Sequence, residues 1–144
     1  MKKFLCILIA AVTIASAASA QGNKSKFAND MYQAKHEMII QECGLTQTQQ
    51  KKFMPLYEQM EREIYQVNRN ARALAAEVEK KKNPSDRDYE AAASAMSNTR
   101  VLEGEIEAKY FEKFAKILSK KQLYQLKQAE AKFTQQMLTK KRKK

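Results

Sequence analysis

The feature that most limits how this chain can fold is an apolar run, Phe53, Tyr57, Met60, Ile64, Val67, Ala71, Leu74 and Val78, spaced 4, 3, 4, 3, 4, 3 and 4 residues apart. A 3.5-residue repeat of that length specifies a helix that packs along its length against another helix. Pro55 falls in its early turns and removes one backbone hydrogen bond; the stripe continues through it, which predicts a bend and not a break. Three Gly and two Pro in 144 residues, where Gly and Pro together ordinarily supply roughly 12%, leave too little turn material for a sandwich or barrel. They also leave no clustered glycines for a phosphate-binding loop. The expected fold class is all-α.

Four helices are expected. Phe27, Met31, Ala34, Met38 and Cys43 mark a first helix of about 16 residues, stopped by Gly44, which takes the left-handed conformation just past a helix end. The second runs from about Gln47 to Lys82, with Lys80, Lys81 and Lys82 at the negative end of its dipole and Asn83-Pro84 closing it. At ~1.5 Å per residue its roughly 36 residues span about 54 Å, which predicts an elongated protomer with two long antiparallel helices. Ser85 with Asp88 opens a third, of about thirty residues, carrying Tyr89, Ala92, Met96, Thr99, Leu102, Ile106, Tyr110, Phe114 and Ile117. Gly104 within it implies either a close neighbouring helix or tolerance on an exposed face, at ~1 kcal/mol relative to alanine. A short fourth helix carries Leu123, Leu126, Phe133 and Met137.

Residues 1–20 read as a secretory signal peptide: Lys2 and Lys3 precede an apolar run from Phe4 to Ala15 that ends in Ala18-Ser19-Ala20. The run is too short for a membrane span of about 20 residues, and Cys6 stands too early to be a lipid-modified cysteine. The expectation is an exported periplasmic protein cleaved near Ala20, with a helical domain over residues 21–138 and a basic tail over 139–144. Of the formal charge of +11, two units leave with Lys2 and Lys3. Five more lie in Lys140, Lys141, Arg142, Lys143 and Lys144, leaving 20 basic against 16 acidic residues in the body, or +4. Such a tail is a solvated end or a contact for acidic lipid or an acidic partner. Export makes nucleic acid a poor partner.

Beyond the signal segment Cys43 is the one cysteine, so no intramolecular disulfide forms; the alternatives are a buried or free thiol and an intermolecular bridge. At the end of a helical pattern it behaves as a small hydrophobe. His36 is the one histidine, so no catalytic or metal constellation has a second one. His36 and Cys43 are two helical turns apart on one face, a weak pair of candidate metal ligands where a closed site takes three or four. The glutamates interleave with lysines and arginines as salt-bridging helix faces. No enzyme and no cofactor are expected. Methionines on the stripes fill core, or form an adaptable binding surface; Met54 and Met60 with Lys51, Lys52, Arg62, Arg69 and Arg72 are the candidate client-binding residues.

Two junctions carry a further signal. In Leu45-Thr46-Gln47-Thr48-Gln49, Thr46 caps the helix and Gln49 reaches back to the cap amide; Leu118-Ser119-Lys120-Lys121-Gln122 repeats the device with Ser119 and Gln122. Two L-T/S-x-x-Q motifs in a small exported helical chain resemble the Spy/CpxP family of periplasmic proteins, which also includes zinc-resistance-associated proteins and metal sensors. Gly44-Leu45-Thr46 followed by Phe53-Met54-Pro55-Leu56-Tyr57 looks especially like members from Bacteroidetes-type bacteria. The resemblance runs from about Met31 to Phe133. It implies a curved four-helix cradle, an antiparallel homodimer, and ATP-independent chaperone activity toward unfolded or misfolded envelope proteins. It assigns structural roles to Leu45, Thr46, Gln49, Leu118, Ser119 and Gln122. The chain lacks the histidine richness of the metal-binding members. Alternatives are a periplasmic metal sensor, an adaptor for one signalling partner, and a Skp/OmpH-like chaperone, which requires a β-rich trimerisation body.

Overall fold

The computed structural model describes the backbone of residues 18–142 and, apart from residues 18–25, 27 and 140–142, their side chains. It is all-α: helices α1 (Ala18–Glu42), α2 (Gln47–Lys80), α3 (Asp86–Phe114) and α4 (Lys120–Arg142), with no strand among the described residues. None of these helices is long and apolar enough to cross a membrane. The chain divides into two units, Met1–Lys35 and His36–Lys144. In the first, the described residues are turns of α1 with mostly exposed side chains. The expected cleavage site at Ala20 falls within α1, and residues 1–17 of the expected signal segment lie outside the described residues, as do Lys143 and Lys144 of the basic tail.

The second unit begins with the last turns of α1. Gly44 has φ of +57°, its N–H donates to the Gln41 carbonyl at 3.1 Å, and the Leu45 N–H donates to the Ile40 carbonyl at 3.1 Å. This is a Schellman ending, and it turns Leu45 inward to be buried. Thr46 then caps α2: its Oγ1 accepts from the Gln49 N–H at 3.2 Å, and the Thr46 N–H donates to Gln49 Oε1 at 3.1 Å. Ser85 and Asp88 form the same box at the start of α3. α2 continues without a break through Pro55.

α2 and α3 form an antiparallel hairpin. Phe53 meets Phe114 edge to face with ring centroids 4.8 Å apart, the Tyr110 hydroxyl donates to Glu63 at 2.6 Å, and Asn68 donates to Glu103. Residue numbers thus rise on one helix as they fall on the other. α4 runs parallel to α2: Gln49 pairs with Gln122, and Tyr57 with Glu130, both at a separation of 73 residues. The core draws on all four helices, from Ile39 of α1 with Cys43 just past its end, Phe53, Tyr57 and Met60 of α2, Tyr110 and Phe114 of α3, and Leu123, Leu126 and Ala129 of α4.

Four expectations are corrected. The first helix has 25 residues, Ala18–Glu42, and not about 16. The first helix's inward residue beside Cys43 is Ile39, four positions back on the same face, and not Met38, which is half-buried. The fourth helix is 23 residues and not short; it runs through Lys140 and Lys141 to Arg142. On α3 the apolar stripe is not uniformly core: Tyr89, Met96 and Leu102 are 55%, 59% and 44% exposed. The core cluster reaches no further along the hairpin than Ile64 and Ile106. Beyond it the buried residues are the smaller Ala71, Val78 and Ala92.

Candidate functional site: a motif clasp and a cationic face

The two motifs meet. Gln49 Oε1 accepts from the Thr46 N–H, and Gln122 Oε1 accepts from the Ser119 N–H at 2.9 Å. The amide groups then cross over: Gln49 Nε2 donates to Gln122 Oε1 at 2.9 Å, and Gln122 Nε2 donates to Gln49 Oε1 at 3.1 Å. Each also reaches the backbone just past the end of another helix, Gln49 the Ile117 carbonyl after α3 at 3.1 Å and Gln122 the Cys43 carbonyl after α1 at 3.3 Å. Ser119 Oγ completes the second box by accepting from the Gln122 N–H at 3.2 Å. Both cap leucines, Leu45 and Leu118, are buried. The reciprocal bonds hold the starts of α2 and α4 side by side, a structural clasp.

That placement gathers charge. α2 and α4 present their positive dipole ends at the same end of the unit, and neither has an acidic residue in its first turn, where one is ordinarily favoured. Exposed Lys51 and Lys52 stand in the early turns of α2, and exposed Lys120 and Lys121 in the first turn of α4. Lys120 and Lys121 were missed as candidate contacts, although they lie inside the second motif.

The remaining candidates lie elsewhere. Arg62, Arg69 and Arg72 are exposed along α2; Lys51 and Arg72 are 21 positions apart, about 31 Å along the axis. The arginines share an outer stripe with Tyr65, at spacings of 3, 4 and 3, and Tyr65 is 52% exposed. Arg62 lies 3.8 Å from Glu58, and Arg72 Nε donates to the Asn68 carbonyl at 3.2 Å. Tyr65 was not among the candidates; its position three residues after Arg62 and four before Arg69 is the signal that finds it. The methionines do not join this stripe. Met60 is 4% exposed and belongs to the core, and Met54 packs partly buried against it. The 3.5-residue repeat that runs through Met60 turns it toward the other helices, away from the arginine face.

The weak metal candidates have other roles. His36 Nε2 lies 2.7 Å from Glu61 Oε2 and its ring packs edge-on to Tyr57 at 5.8 Å. Cys43 is 3% exposed, and burial, reinforced by Glu130 and Glu42, pushes its thiol from about 9 up to about 11. It therefore stays protonated at neutral pH, which disfavours the thiolate that metals and electrophiles need. Among the described residues no group of three His, Cys, Asp or Glu side chains is placed to hold a metal ion. Tyr57 donates to Glu130 at 2.8 Å, and burial followed by the Glu130 charge raises its pKa, so both tyrosine and cysteine act as neutral packing groups.

Compared with known protein families, with curated proteins and with solved structures, the chain matches none of them.

Proposed function

We propose that this chain is a non-enzymatic, ATP-independent holdase of the Spy/CpxP type that binds unfolded envelope proteins in the periplasm, as a homodimer and without a cofactor. The observation that carries the reading is the outer stripe of α2, where Arg62, Arg69 and Arg72 flank an exposed Tyr65. It lies on a hairpin whose other helix exposes Tyr89, Met96, Val101 and Leu102. Cationic side chains attract acidic unfolded segments over distances of about a Debye length, ~8–10 Å at physiological salt. Shallow apolar and aromatic contact then adds short-range affinity without a pocket specific to one sequence. Binding of this kind needs no nucleotide cycle, because each contact is weak enough to release.

Support also comes from the paired motifs, which act in this chain as the caps that the family resemblance implies. The described residues contain no counterpart of the β-rich body that a Skp/OmpH-like chaperone requires. The reading is tested by adding the purified protein, lacking residues 1–20, in excess to several unrelated unfolding clients. Suppressed light scattering for most of them is expected; failure with all of them overturns the proposal. Pull-down from envelope extracts separates it from the adaptor alternative, which predicts one dominant partner in place of many weak ones.

A further inference from the structure

A concave surface lies on another side of the same unit. Between α3 and α4 runs an open groove of about 460 Å³. Its floor is apolar and already buried, with Met60, Phe114 and Leu126 at 4%, 2% and 1% exposure, while its wall is Phe111, a phenylalanine left 43% exposed. The rim has the opposite sign to the chain as a whole: Glu107, Glu112 and Glu130 stand around a single ammonium, Lys127. That ammonium is already committed, lying 2.9 Å from Glu107 and 2.8 Å from Glu130. In a chain of formal charge +11, three carboxylates against one lysine make a local inversion of charge.

We infer that the α3–α4 groove binds a cationic amphipathic segment of a partner polypeptide, its apolar side chains on the Phe111 wall and its lysines or arginines on the glutamate rim. The volume lies within the ~300–1,000 Å³ of sites that take small ligands, so it accepts a few side chains of a peptide and not a folded surface. Charge selects the occupant. An acidic segment would meet three carboxylates, and a second copy docked through the same face across a two-fold axis would set acidic rim against acidic rim. A basic segment finds carboxylates on the rim and, at Phe111, an aromatic face that also attracts cations. The groove therefore selects segments that the arginine stripe of α2 repels.

The test is fluorescence-anisotropy titration of the full mature chain with three dye-labelled peptides of about 12 residues. One is a leucine–lysine amphipathic helix, one replaces its lysines by glutamate, and one replaces its leucines by serine. The lysine–leucine peptide is expected to bind at least about tenfold more tightly than either of the others. Glu112→Lys and Phe111→Ala are each expected to weaken it by about fivefold or more, while the matched charge reversal Glu90→Lys, at an exposed position in the first turns of α3 away from the groove, leaves it unchanged. Glu112 is exposed, so its variant keeps the fold and decides the matter if Phe111→Ala does not. Equal or tighter binding of the glutamate peptide overturns the inference, and so does an affinity unaffected by Glu112→Lys.

Discussion

Gln49 and Gln122 each do two jobs with one side-chain amide, closing a cap with the oxygen and bridging α2 and α4 with the nitrogen. Replacing Gln122 by alanine removes the reciprocal cap of α4, the bond to Gln49 and the bond to the Cys43 carbonyl, and is expected to cost about 1–3 kcal/mol. Because the two glutamines share bonds, the double variant Gln49→Ala with Gln122→Ala is expected to cost less than the sum of the single ones. The expected coupling is about 0.5–1.5 kcal/mol in a double-mutant cycle measured by urea unfolding. Strict additivity would show that the crossed amides contribute nothing beyond their own caps. Cys43 gives a second prediction at this scale. Its buried thiol, pushed up to about 11, should react with thiol reagents at pH 8 at a rate limited by opening of the fold, so mild denaturant accelerates the reaction steeply. Fast labelling of the native protein would contradict the burial.

Each helix was legible where its ends are encoded locally. The Gly44 turn and the boxes at Thr46, Ser85 and Ser119 depend on residues within five positions of one another, and they form as the spacing predicts. What spacing did not reveal is what depends on a second element: the crossing of Gln49 with Gln122, the shared end of Lys51, Lys52, Lys120 and Lys121, and the exposure of Tyr89, Met96 and Leu102. Periodicity identifies a face, but whether that face is covered depends on how far the neighbouring helices extend along it. Gly104 illustrates the point, since sequence left close approach and tolerance equally open. A β-carbon placed there meets nothing within 4 Å, so Gly104→Ala is expected to stabilise the protein by about 0.5–1 kcal/mol through helix propensity, measured by chemical unfolding. Loss of stability would reveal a neighbour at that position. At the start of α3, the Lys81 ammonium and then the Ser85 backbone and hydroxyl groups hold the Asp88 carboxyl down from 3.8 to about 2. A folded-state pKa below the unfolded one means the carboxylate stabilises the fold above the unfolded value. That contribution fades as pH falls from 3.8 toward 2. Asp88→Asn should flatten the pH dependence of stability across that window; an unchanged acid transition would show that the cap is not what titrates.

On the scale of the whole molecule, charge is distributed by sign into separate surfaces. The total of +11 includes Lys2 and Lys3 and the last five residues, so the body's smaller excess works through placement: a lysine end held together by the motif clasp, an arginine stripe along α2, and an acidic groove between α3 and α4. The central claim is that the arginine stripe recognises unfolded protein. Its most direct test is equilibrium binding of one permanently unfolded, acidic client to the wild type and to the combined variant Arg62→Glu, Arg69→Glu, Arg72→Glu, with the fold monitored by circular dichroism. All three side chains are exposed, so the helix content should be kept. Reversing the stripe is expected to weaken binding by about tenfold or more, and added salt should weaken the wild type far more than the variant. Unchanged affinity in a folded variant would contradict the account.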